Sequence, residues 1–187
     1  MKYQVPLRWF SAPADREGRG EGEVPILDER GRQAFRLLGT GAPEPTPAGS
    51  RVLTFRDRRG DELAFVTCRQ LPGVGGGVAY ELYHGDDLQA VVRRDGCSGR
   101  RCRFMADGPG PDDLHAEGDL TGREYAFTRE GKPVGRVSRS MLAGAGGYGV
   151  EVGRGEDEVL LLASAVVIDL CCQPEADPEL PGSRMAG

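Results

Sequence analysis

The chain has 187 residues, a formal net charge of −5, 29 glycines and 13 prolines. That length suits one domain with a real core, and the acidic balance excludes a general polyanion binder, so no nucleic-acid partner is expected. Glycine stands at about twice its usual share, which with the prolines predicts many turns and so many short strands.

The elements follow in chain order. Residues 3–10 read as an edge strand, with Tyr3, Val5 and Leu7 on one face, and residues 12–23 as a Gly- and charge-rich loop. A unit then recurs at 24–37, 51–66, 78–92 and 123–137: an apolar strand, a polar turn containing Gly, and a second strand. Each is a β-hairpin signature, in which Asp or a neighbouring polar residue starts the turn and Gly takes the positive-φ position. Alternation such as Val78, Tyr80, Leu82 against Ala79, Glu81, Tyr83 predicts one buried and one wet face. Pro- or Gly-rich breakers lie at 40–50, 71–77, 107–113 and 144–147, and residues 101–106, 115–120 and 148–152 add further short strands. About a dozen strands at regular turn spacing predict a sandwich or barrel.

Residues 156–172 differ from everything before them, being long, apolar and free of Gly and Pro. They read as one helix, apolar all round and therefore buried, with Leu161, Val166 and Ile168 in the core and the strands as its container. Glu156, Asp157 and Glu158 complement the positive end of its dipole. A span needs roughly 20 apolar residues, so this shorter run predicts a core helix and no membrane span. The polar, Pro-rich tail at 173–187 is expected to be disordered, leaving a single domain at 1–172.

The order of these pieces carries a resemblance. Ile26-Leu27-Asp28-Glu29-Arg30-Gly31, Phe55-Arg56-Asp57-Arg58-Arg59-Gly60, the stretches 118–125 and 129–139, Tyr148-Gly149-Val150-Glu151-Val152, and the helix from Asp157 to Asp169 are similar to the LURP-one-related family. That family is grouped with the phospholipid scramblase and tubby C-terminal domains. The resemblance implies a mainly β fold: a closed antiparallel barrel of about twelve strands around one buried C-terminal apolar helix. It supplies no common catalytic motif. The Pro-rich loop at 42–50, the glycine run at 73–77 and the enlarged loop at 12–23 depart from it.

Candidate chemistry is sparse. Arg93, Arg94, Arg100, Arg101 and Arg103 form a cluster suited to an anion such as a phosphoinositide headgroup, as some tubby-like domains use. A solvated hairpin carries more weight, because the net charge is negative and Asp86, Asp87 and Asp95 lie close by. Nearly all basic residues are Arg, with Lys2 and Lys132 the only lysines, which a GC-rich, bacterial-type coding bias explains. Asp169, near a helix C-terminus, is disfavoured by the dipole and costly if unpaired. It reads as a structural anchor to an Arg or to backbone N–H groups of the rim ahead of a ligand-facing acid. The five cysteines are odd in number and two are adjacent, which predicts reduced, mostly buried thiols. Zinc on Cys97, Cys102, Cys171 and Cys172, and calcium on residues 107–113, both fit known ligand spacings poorly. No cofactor or metal is expected. The N-terminal residues lack the apolar core of a secretory signal, so a cytoplasmic protein is expected. The function expected is a non-enzymatic binding module for an anionic lipid headgroup at an outer surface or rim; the alternative is a protein-interaction scaffold without a small ligand.

Overall fold

Two turns show how local chemistry sets the strand ends. In the computed structural model, which describes residues 1–6, 22–39, 51–71, 78–98, 101–108, 113–141 and 146–172, β1 (Lys2–Pro6) is followed by the hairpins β2 (Gly22–Asp28) with β3 (Gln33–Gly39) and β4 (Arg51–Arg56) with β5 (Glu62–Gln70). At the first turn the Asp28 Oδ1 accepts the N–H groups of Arg30 and Arg32, both at 2.9 Å. The Gly31 N–H donates to the Asp28 carbonyl at 2.9 Å. At the second, Asp57 Oδ1 accepts the N–H groups of Arg59 at 2.7 Å and Asp61 at 2.9 Å, and the Gly60 N–H donates to the Asp57 carbonyl at 3.2 Å. Gly31 (φ 72°) and Gly60 (φ 93°) occupy the left-handed region the turn requires.

The chain continues through β6 (Val78–His84), β7 (Asp87–Ser98), β8 (Arg101–Asp107), β9 (Leu114–Asp119), β10 (Glu124–Arg129), β11 (Lys132–Ser138) and β12 (Gly147–Val152) to α1 (Glu158–Cys172). Neighbouring strands are antiparallel and follow chain order around a closed barrel. The expectation of an edge strand at the start of the chain is overturned: β1 pairs with β12 from Lys2↔Glu151 to Pro6↔Gly147 and with β2 at Tyr3↔Asp28. Closure, which is non-local, gives β1 its second neighbour. Residues 7–10 and the tail at 173–187 lie outside the described residues.

The registers give the barrel two unlike ends. The turns joining β2 to β3, β4 to β5, β6 to β7 and β10 to β11, the start of β1 and the start of α1 lie at one end, here the turn end. The β9–β10 turn and the C-terminus of α1 lie at the far end. Inward residues alternate along the strands, as in Ala64, Val66 and Cys68 or Tyr148, Val150 and Val152, all buried.

Helix α1 begins at Glu158, two residues later than its acidic lead-in suggests. Asp157 caps it: Oδ1 accepts the N–H of Val159 at 2.9 Å and of Leu160 at 3.0 Å. Every residue from Leu161 to Asp169 is buried, including Leu161 (0 %), Val166 (0 %) and Ile168 (1 %). The helix approaches β12 on one side and β5, β6 and β7 on the opposite side. It is therefore enclosed by the barrel. Gly135 marks the closeness of the fit, since a Cβ there would stand 3.0 Å from Leu161 Cδ2. Among the described residues no helix is long and apolar enough to cross a membrane.

Candidate functional site: the rims and outer face

A barrel filled by its own helix leaves recognition to its ends and its outside. At the far end the polar groups serve the fold. Asp169, 4 % exposed, receives Arg123 Nη2 at 2.6 Å on Oδ1. Arg123 closes the β9–β10 turn, donating its N–H to the Leu120 carbonyl at 3.1 Å with φ 57°. A non-Gly residue there costs about 1–2 kcal/mol. The buried ion pair and the guanidinium 5.8 Å from the Tyr148 ring centre offset that cost. Asp169 thus meets an Arg at the rim. Burial, then the Asp169 charge, push the phenols of Tyr125 and Tyr148 well above their ordinary value, with Arg123 opposing. Cys68, Cys171 and Cys172 are free thiols. Burial pushes Cys171 up to about 12 and raises Cys68 and Cys172. At neutral pH these three are protonated, the reverse of an activated nucleophile.

The arginine cluster divides. Val92 and Phe104 face inward, and Arg94 pairs with Phe104 across the β7–β8 ladder, so Arg94 stands on the inner rim. Its Nη2 donates to the Cys171 carbonyl at 3.1 Å, and its guanidinium lies 5.6 Å from the Phe104 ring centre. That contact satisfies a terminal helix carbonyl and complements the negative end of the dipole. Arg93 and Arg103 are exposed on the outer face, where Arg103 is registered against Glu117 of β9. Arg101 is registered against Asp119, its side chain outside the described ones, and Arg100 lies outside the described residues. The pleat thus separates residues that are neighbours in sequence, and carboxylate positions lie beside the outward ones.

Cys97 pairs with Cys102 across the β7–β8 ladder. Among the described residues no group of three or more His, Cys, Asp and Glu side chains is placed to hold a metal ion. His84 Nδ1 lies 2.7 Å from the Leu63 carbonyl, a contact between the end of β6 and the start of β5.

At the turn end the helix is held by lighter, more exposed pairs. The Tyr3 hydroxyl donates to Glu158 Oε2 at 2.5 Å, and Arg129 Nη2 lies 3.3 Å from Glu156 Oε2. Burial and the Glu158 carboxylate raise the Tyr3 phenol. A groove of about 320 Å³ opens beside them, lined by the start of β1 and the first two hairpin turns. Sequence reasoning finds neither this groove nor the role of Arg123. Lys2, Arg30 and Arg58 are far apart in the chain and meet only through strand pairing. The turn of Arg123 lacks a glycine at the position that takes the positive φ.

Fold and rims together define a barrel threaded by its own C-terminal helix, with the charged side chains among the described residues lying at the ends and on the outside. The family profile described as LURP-one-related matches residues 18–169, most of the chain, and the protein belongs to that family. No curated protein and no solved structure matches the chain.

Proposed function

We propose that the chain is a cytoplasmic, non-enzymatic binding module of tubby-like and scramblase-like kind that recognises an anionic, phosphoinositide-like headgroup at a rim or on its outer surface. One observation carries this reading: α1 is buried on all sides from Leu161 to Asp169, so the interior is already occupied. The exposed cations are then the groups able to meet a ligand. The scaffold alternative calls for an unpaired edge or an exposed apolar patch. The strands instead close the ring, and the exposed large apolar side chains among the described residues are Met1 and Leu88, both at the turn end. Co-sedimentation with phosphatidylcholine vesicles, with and without phosphoinositide, tests the proposal. Binding only to the phosphoinositide vesicles, weakening as salt rises, is the expected result. Equal sedimentation with both vesicle types overturns it.

A further inference from the structure

The groove at the turn end has a cause in the strand pairing. The β1–β2 ladder stops at Tyr3↔Asp28 because the chain turns at Glu29, while β1 runs on through Lys2 beside Glu151 of β12. A gap opens between the start of β1 and the turn, and Arg58 reaches into its wall from the β4–β5 turn. Its volume of about 320 Å³ is at the small end of ligand pockets.

The chemistry of this gap is unlike that of the whole chain. Lys2, Arg30, Arg32 and Arg58 line it against the carboxylates of Asp28 and Glu29, four cations to two anions. The whole chain has 24 Lys and Arg to 29 Asp and Glu. Asp28 is already committed. Its Oδ1 accepts the N–H groups of Arg30 and Arg32. Its Oδ2 accepts Arg32 Nε at 3.0 Å and faces Arg32 Nη2 at 2.9 Å and Arg58 Nη2 at 3.5 Å. Those contacts use the roughly four lone-pair sites of a carboxylate, whereas each guanidinium has about five N–H donors. They also hold the Asp28 carboxyl below its ordinary value, the Arg32 N–H first among the causes. Lys2 and Arg30 make no ion pair among the described residues. The groove thus holds two guanidinium groups in place on one saturated acceptor, with donors to spare and two further cations beside them. A surplus of fixed donors fits a multiply charged oxyanion, and Arg forks fit phosphoryl oxygens above all.

We infer that this groove, rather than the outward face of β7 and β8, is the seat of a phosphoryl group. The inference rests on the reading of the protein as an anion-binding module and assigns that reading a place. A phosphorylated headgroup in a membrane and a soluble phosphorylated metabolite offer the same chemistry. Calorimetry with inositol hexakisphosphate and co-sedimentation with phosphoinositide vesicles therefore form the two arms, each run on wild type, on Lys2→Ala/Arg30→Ala and on Arg93→Ala/Arg103→Ala. The groove variant leaves the Asp28–Arg32 pair intact and is expected to fold as wild type by circular dichroism. It is expected to lose about tenfold or more in affinity, while the outer-face variant binds as wild type. Binding in both arms identifies a headgroup site open to a membrane; binding in the calorimetric arm alone identifies a site for soluble ligand and removes the membrane from the proposed function. Loss in the outer-face variant with binding kept in the groove variant overturns the inference and leaves the module intact. No binding by wild type in either arm overturns both.

Discussion

The two ends of the barrel use similar residues for different purposes. At the far end Arg123 and Asp169 meet below the surface at 2.6 Å, with Tyr125 and Tyr148 packed around them. At the turn end Tyr3, Glu158, Arg129 and Glu156 hold the helix in partly buried contacts, and a cation-rich groove stays open to solvent. Arg123 is itself largely buried on its carboxylate, whereas Arg32 and Arg58 share one carboxylate while their own side chains stay more than half exposed. The number of arginines in a stretch does not distinguish these cases, whereas burial and acceptor saturation do.

The contrast can be broken by substitution. The largest effect is expected between the ends, inside the plug. Leu161→Asp places an unpaired carboxylate where the side chain is 0 % exposed, at a cost of several kcal/mol against a total stability of about 5–15 kcal/mol. Circular dichroism should show no cooperatively folded protein; a folded variant would mean that α1 does not fill the barrel. Next comes the far end. Asp169→Ala or Arg123→Ala strands one buried charge and should cost about 3–5 kcal/mol in urea denaturation, most of it recovered in Arg123→Met/Asp169→Leu. At the turn end the losses shrink. Asp157→Ala removes the helix cap and should cost about 1 kcal/mol, and Glu156→Gln less than about 1 kcal/mol. Similar losses from Asp169→Ala and Glu156→Gln would erase the distinction.

Acid and alkali act on different groups, although the raised Tyr3 phenol gives the turn end an alkaline contribution too. The fold holds the Cys171 thiol neutral up to about 12 against an ordinary 9.0, and raises the far-end phenols. Above pH 9 the unfolded chain releases protons that the folded chain retains, so stability should fall as pH rises through this range. Asp28 lies at the turn end with the opposite sign. Its folded value is depressed below 3.8, so its contribution is present above that pH and lost as pH falls through the folded value. Wild type should melt above Asp28→Asn at neutral pH and converge on it as pH falls through the folded value of Asp28, whereas wild type and Cys171→Ser should part chiefly in the alkaline limb.

Much of this architecture is legible in local sequence. An Asp three places before a Gly marks the β2–β3 and β4–β5 turns, because the pair supplies the side-chain acceptor and the positive φ together. A Gly-free apolar run after an acidic cap, too short for a membrane span, reads as a buried helix, and Asp169 within it calls for a partner. What stays hidden depends on closure. Whether β1 is an edge is decided by β12, nearly the whole chain away. The identity of the Asp169 partner hangs on a left-handed Arg that no local propensity favours. Linear proximity also ignores the pleat, which divides the arginine cluster and sends Arg94 to the inner rim and Arg93 outward. The groove is the converse case, its cations scattered in sequence and gathered by pairing.

The central claim is that the interior is closed and that the turn end is where an anion is met. Backbone amide NMR during titration with inositol hexakisphosphate addresses it directly. Shifts are expected to concentrate at Lys2, Arg30, Gly31, Arg32 and Arg58, with Phe127, Val150 and the amides of α1 unmoved. Shifts centred on those interior amides, or on Arg93 and Arg103 with the turn end silent, would contradict it.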